Sequence, residues 1–191
     1  MEELDFKKYN ISHLEGKEIS KLTDCDIEKI MDAFAAENLA PAIYEIDYSI
    51  ENINKLLNLS HCRRCGRCCL PNPIDPDYPG VMVLEEDLRM IARHTHYSYK
   101  YLKKKAILNK NPELPRRRYL PLPCMFYNKK KKECEIYEIR PLICRTFPIT
   151  DLQEQDGISV NLCECEYGRD IYRSVIRKMR DSPNSRIILY I

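Results

Sequence analysis

The sequence predicts an α+β fold of short antiparallel β-hairpins and helices, with an N-terminal helical extension. Three observations predict it. Apolar residues recur at helical spacing before residue 60 and again after residue 84. Short apolar stretches joined by polar turns lie between residues 124 and 162. Between the two regions, His61-Cys62-Arg63-Arg64-Cys65-Gly66-Arg67-Cys68-Cys69 places four thiols within eight residues. Cysteines two residues apart can turn both sulfurs toward one point, the bite that a tetrahedral ion or a cluster corner needs. The hairpins and helices are therefore expected to surround a cysteine-ligated metal centre. Residues 1–60 form the helical extension and residues 61–191 the cysteine-cluster domain.

In chain order, Thr23 followed by Asp26 has the form of a capping box, and Ile27, Ile30, Met31 and Phe34 mark one face of the helix that it opens. Pro41 opens a second helix, in which Ile43, Ile46, Ile50, Ile53 and Leu57 recur at spacings of three and four, running to about Leu59. Cys25, in the first turn of the first helix, reads as a small packing residue. After the cysteine run, residues 70–80 contain four prolines and form a loop. Val81 to Leu84 reads as a buried strand. Glu85, Glu86 and Asp87 then open a helix with Leu88, Ile91 and Ala92 inside, their acidity suiting its first turn. Ser98 caps a further helix through Leu108. Cys124–Tyr127 and Glu133–Tyr137 form a hairpin around a lysine-rich turn. Pro141 begins a short helix that contains Cys144 and that Pro148 stops. Residues 149–153 and 158–162 make a second hairpin. A last helix spans about Gly168 to Arg180, and residues 186–191 supply a terminal strand.

Ten cysteines in 191 residues could mean a disulfide scaffold, but those belong mainly to small secreted domains. This chain starts Met-Glu-Glu-Leu-Asp-Phe-Lys-Lys, without the apolar stretch of a signal peptide, and has no apolar run that could span a bilayer. A reducing cytoplasm is the expected location. Intracellular hyperthermophile proteins are the exception to that argument, and the Lys/Glu/Ile-heavy composition would suit one.

The net charge of +2 hides an asymmetry: residues 1–60 carry 6 Lys/Arg against 13 Asp/Glu, a balance of −7, and residues 61–191 carry 25 against 16, a balance of +9. The thiol-rich part is thus the basic part. Arg63, Arg64, Arg67 and Arg145 adjoin cysteines, where they would offset the negative charge of several thiolates on a divalent ion or cluster. Basic clusters at 103–105, 116–118 and 129–132 are solvated faces, and the recognition motifs of nucleic-acid binding are missing, which argues against such a partner.

Cys62, Cys65 and Cys68 match the first three ligands of a bacterial ferredoxin run, but Asn72 stands where the fourth would be. That ligand must come from elsewhere, and Cys124, Cys134 and Cys144 are available. Cys68 and Cys69, being adjacent, would point apart in an extended chain. Cys163 and Cys165 could place two sulfurs on one face of a strand. His61 reads as an exposed neighbour.

The blocks Cys62-x2-Cys65-x2-Cys68-Cys69, Pro123-Cys124-Met125-Phe126 and Cys134-Glu135-Ile136-Tyr137-Glu138-x-Arg140-Pro141-x2-Cys144-Arg145-x-Phe147-Pro148 resemble the CxxCxxCC cysteine-cluster family, also called YkgJ-like, over residues 60–165. The resemblance implies zinc or iron chelation, an iron–sulfur oxidoreductase role, and kinship with the cysteine cluster of flagellin lysine methylases. By matching position it implies metal ligands drawn from Cys62, Cys65, Cys68, Cys69, Cys124, Cys134 and Cys144, supported by Tyr137, Arg140 and Arg145. Leu84 departs from the family's Ser or Thr.

Three functions remain. The favoured one is an iron–sulfur protein, with a four-iron cluster, serving a redox partner or a cluster-dependent reaction. The alternative is a zinc-stabilised structural or interaction module. A thiol–disulfide oxidoreductase ranks last, since it needs only two cysteines and the strand–helix setting of its motif is missing. Five glycines form neither a dinucleotide fingerprint nor a phosphate loop, so no nucleotide site and no catalytic residue is assigned.

Overall fold

Helices alternate with short antiparallel strands in the computed structural model, which describes residues 4–37, 39–71, 80–108, 117–151, 157–162 and 165–182. In chain order these are α1 (Asp24–Ala36), β1 (Ala42–Ile43), α2 (Ile50–Leu57), β2 (Val81–Val83), α3 (Glu85–His94), α4 (Tyr99–Lys105), β3 (Ile107–Leu108), β4 (Arg118–Leu120), β5 (Tyr127–Asn128), β6 (Glu133–Cys134), α5 (Leu142–Thr146), β7 (Ile149–Asp151), β8 (Ile158–Val160) and α6 (Glu166–Arg180). The fold is mixed α+β, with every strand pair antiparallel. Two compact units divide it: Met1–Arg63 with Pro148–Ile191, and Arg64–Phe147. The sequence-based division at residue 60 follows the order of the chain. The compact units instead join residues 1–63 to the returning C-terminal segment, because the two share one hydrophobic core.

In the first unit α1 starts as its sequence dictates. Thr23 Oγ1 accepts the Asp26 N–H at 3.1 Å and Asp26 Oδ2 accepts the Thr23 N–H at 2.9 Å, closing the capping box. Ile27, Ile30, Met31 and Phe34 are buried beneath it, against Ile171, Tyr172 and Val175 of α6 among others. Cys25 is exposed, contrary to its reading as a packing residue.

α1 and α6 are also matched in charge. Arg169 pairs with Asp32, Arg173 reaches Glu28 at 3.1 Å, and Arg177 and Arg180 reach Asp24 at 2.8 and 2.7 Å. Steps of four along α6 meet steps of four running back along α1, which sets the two helices antiparallel and fixes their register.

The helix expected from Pro41 to about Leu59 is shorter than its periodicity suggested. Ala42 and Ile43 pair instead with Ser159 and Ile158 in a sheet of order β1-β8-β7. The helix begins only after Ser49, whose Oγ accepts the Asn52 N–H at 3.3 Å, and Ile50 is exposed. Tertiary strand pairing has overridden local pattern here. α6 begins two residues before the expected Gly168, and its first turn sits hard against the chain after β8: a Cβ on Gly168 would lie 2.0 Å from the Asn161 carbonyl oxygen. Residues 152–156 of the expected hairpin and the strand expected over 186–191 lie outside the described residues.

The capping box makes an acid-stability prediction. The Thr23 backbone N–H, with help from Lys17, holds the Asp26 carboxyl below the ordinary carboxylate range, against the opposing effect of its burial. A carboxylate whose folded pKa is depressed contributes fully while it is ionised in both states, and that contribution fades as pH falls through the folded value. Asp26→Asn is expected to cost about 1 kcal/mol at neutral pH. The gap to wild type should close below about pH 4, as read by urea unfolding across pH.

In the second unit β4 lies between β2 and β3, with Val81, Met82 and Val83 facing Leu120, Tyr119 and Arg118. Val83, Leu88, Ile91, Leu102, Ala106, Leu120, Phe126 and Ile136 form its core. The helix capped by Ser98 ends at Lys105, short of the expected Leu108, because Ile107 and Leu108 pair with Tyr119 and Arg118. The Arg118 guanidinium donates to the Lys103 and Ala106 carbonyls at 3.1 and 2.9 Å, taking up the open end of α4. Arg118, expected in a solvated basic cluster, is thus a strand residue with a capping role. No helix among the described residues is long and apolar enough to cross a membrane.

Candidate metal centre

One run of backbone hydrogen bonds in the second unit brings four cysteines together. Gly66 takes a left-handed conformation, φ 72°, and starts a 3-10 turn over Arg67–Cys69 in which the Cys69 N–H returns to the Gly66 carbonyl at 2.9 Å. A Cβ at Gly66 would lie 2.3 Å from the Tyr127 ring, so the turn and β5 meet at a position only glycine fills easily. The Cys124 N–H donates to the Cys69 carbonyl at 2.8 Å, and the Tyr127 N–H donates to the Cys124 carbonyl at 2.9 Å. Tyr127 then pairs with Cys134 across β5 and β6. Three separated segments are joined in this way around Cys69, which is buried, while Cys68 is exposed and Cys124 and Cys134 are half-buried.

The electrostatics identify Cys69 as the hub. Its thiol lies in hydrogen-bond contact with Cys124, Cys134 and Cys68, and these contacts, followed by burial, push its pKa up. The same contacts push the three partners down: Cys68 and Cys124 below the ordinary thiol value, and Cys134 to about 7. The opposed shifts favour negative charge on the sulfurs around Cys69 over Cys69 itself. Burial raises Cys144, on α5, and charge on Cys68, Cys124 and Cys134 raises it further, which marks it as a fifth neighbour.

Positive charge opposes this accumulation. Arg140 lowers the pKa of Cys68 and Cys134 and partly offsets the rise at Cys144. Its guanidinium is held 3.6 Å from the Tyr137 ring centroid while its Nε donates to the Tyr137 carbonyl at 2.7 Å. Arg64 lies 4.0 Å from the same ring and pairs with Glu138 at 3.1 Å. Arg145 is exposed on α5.

Not every expected ligand belongs to this group. Cys65 is exposed on the turn that leads into it. Cys62 falls in the first unit, half-buried against that unit's core, as does Cys165; Cys163 lies outside the described residues. His61 is exposed. Sequence reading missed Asp87 as a positioning group: its Oδ2 accepts the Leu84 N–H at 2.9 Å and its Oδ1 accepts the Leu142 N–H at 3.0 Å, fixing the start of the helix that carries Cys144. An acid in the third position of a helix was the available signal, but the second donor it serves lies 55 residues away. Leu84, at the cap of that helix, makes no side-chain cap hydrogen bond.

Four or five convergent sulfurs are a soft donor set suited to zinc or iron. Among the described residues, no three His, Cys, Asp or Glu side chains already stand as a ready-made ion site. Binding would therefore draw the sulfurs onto the ion as thiolates.

A family model described as a putative zinc- or iron-chelating domain matches residues 61–166. An uncharacterised protein of Methanocaldococcus jannaschii is 30% identical over 115 residues, 59% of this chain; the chain spans 58% of that relative's length. No solved structure matches the chain.

Proposed function

Because the chain belongs to the CxxCxxCC family, whose matched region holds these cysteines, we propose that it binds one zinc or iron ion through Cys69 and the sulfurs around it. The carrying observation is the placement of Cys68, Cys124 and Cys134 within hydrogen-bond contact of one central thiol. Sulfurs gathered this closely around one thiol suit one tetrahedral ion, whereas a four-iron cluster needs its cysteines held apart around a bulky core. Cys144 is the next sulfur beside them. Arg140, fixed on Tyr137, offsets the thiolate charge, and Asp87 holds α5 in place. A bound zinc would stiffen the hairpin and turn as a structural element, and iron would add one-electron chemistry toward a redox partner. No catalytic residue is assigned.

An iron–sulfur cluster is the second reading, and the ferredoxin-like spacing of Cys62, Cys65 and Cys68 favours it. Anaerobic purification, followed by metal analysis and a visible spectrum on one sample, tests both. One zinc or iron per chain without sulfide supports the single-ion site, and iron with matching sulfide and a brown colour supports the cluster. No metal at all defeats both readings. Cys65→Ser sharpens the choice: the single-ion site should keep nearly all of its metal, whereas a cluster on the ferredoxin-like triple should lose most of it.

A further inference from the structure

The Arg64–Phe147 unit carries 18 Lys/Arg against 9 Asp/Glu, a balance of +9, while the rest of the chain carries 13 against 20, a balance of −7. Thiolates on a divalent ion would offset only part of that positive charge. On α4 the charge is interleaved with aromatic rings. Residues 100, 101, 104 and 105 fall on one face of this helix, opposite the buried Leu102 and Ala106. Lys100, Tyr101, Lys104 and Lys105 are all exposed, whereas Lys103 turns away to Glu85 at 2.8 Å. Tyr97 and Tyr101 lie nearly parallel, with 8° between their planes and 5.3 Å between centroids, and the His96 ring stands 3.9 Å from that of Tyr97. Parallel rings at that separation are offset, which leaves part of each face uncovered. Tyr97 is held from beneath, its ring meeting the buried Phe126 edge to face at 5.9 Å. Tyr101 is 40% exposed, and Lys105 Nζ lies 5.6 Å from its centroid. Three rings in a row are thus seated on the core and flanked by exposed ammonium groups.

We propose that this face of α4, with the rings that precede it, binds single-stranded RNA. Bases would stack on Tyr101, Tyr97 and His96, which needs no sequence motif because every base has a π-face. Lys100, Lys104 and Lys105 would meet the phosphates. The charge favours a polyanion, and the rings select one whose bases are unpaired, as RNA offers them in loops and ends. A duplex would satisfy the lysines and leave the rings unused. From the sequence, the lysines at 103–105 read as a solvated face because no recognition motif accompanies them. Tyr97 stands ahead of the Ser98 cap, outside the helix, so its alignment with Tyr101 is visible only in three dimensions. The proposal does not depend on which ion the cysteines hold.

The full chain, purified with its metal, is titrated against a fluorescein-labelled oligouridylate and followed by anisotropy at several salt concentrations. Saturable binding is expected, weakening as salt rises. Tyr101→Ala should weaken it about tenfold, the loss of one stacked base, while Tyr101→Phe, which keeps the ring, should stay within about twofold of wild type. The double variant Lys100→Ala/Lys104→Ala should flatten the slope of log affinity against log salt by about 1.4. Urea unfolding and metal content of these variants should match the wild type, since all three side chains are exposed. No binding by the wild type, equal affinity of Tyr101→Ala and wild type, or binding of an RNA duplex as tightly as the single strand would each overturn the proposal. A wild-type protein without metal would defeat the single-ion reading and leave the RNA titration to be judged by itself.

Discussion

Cys69→Ser should strip the protein of its metal, from about one ion per chain to a trace, and lower the unfolding temperature of the unit that contains it. The reason is geometric: among the described cysteines, Cys69 is the one in contact with Cys68, Cys124 and Cys134 together, and its carbonyl also receives the Cys124 N–H. Serine keeps the backbone bond but puts a hard oxygen where a soft ion needs sulfur. Structural zinc sites contribute on the order of 10–16 kcal/mol of apparent binding energy in small domains, so removing the hub should cost far more than a surface change. Metal analysis and thermal unfolding in the presence and absence of a chelator would read both effects. Cys25→Ser is the control: that thiol is exposed on α1, and its loss should change neither quantity. Equal metal in the Cys69 variant and wild type would defeat the assignment.

Gly168→Ala is the second large effect and concerns the first unit alone. The added Cβ would lie 2.0 Å from the Asn161 carbonyl oxygen and 3.2 Å from Pro148 Cβ. Neither backbone oxygen nor proline ring can swing aside, and the Asn161 N–H is itself engaged with the Pro148 carbonyl at 2.8 Å. The helix must shift, breaking its fit against Ile27 and Ile30. Overpacking of this kind costs about 1–3 kcal/mol, against the intrinsic gain of about 1 kcal/mol for alanine over glycine inside a helix. Urea unfolding should show a net loss, while metal content per folded chain stays at the wild-type value.

What could be read from the sequence was what depends on near neighbours. The Thr23–Asp26 box, the strand at Val81, the hairpin that carries Cys134 and the proline-bounded helix that carries Cys144 are all specified within a few residues. β1 was hidden because its partner, β8, lies more than a hundred residues further on. β4 was hidden because Arg118 looks like surface charge until its two carbonyl acceptors are known. The site was half legible. Spacing identified the thiols, and the adjacency of Cys68 and Cys69 suggested that they point apart. The 3-10 turn instead brings both into one cluster, one exposed and one buried. That Cys69 is the centre followed only from contacts with Cys124 and Cys134, which arrive from other segments.

The first unit is closed by a segment that follows the second unit in the chain. On the ribosome, residues 24–34 must wait for Ile171, Tyr172 and Val175 to emerge before the core shared by α1 and α6 can form. The stretch 64–147 needs nothing made after it, so its thiols can meet and capture an ion while the flanking half is still unfinished. Metal supply during synthesis, and not only after it, would then govern how much of the newly made protein reaches its final fold.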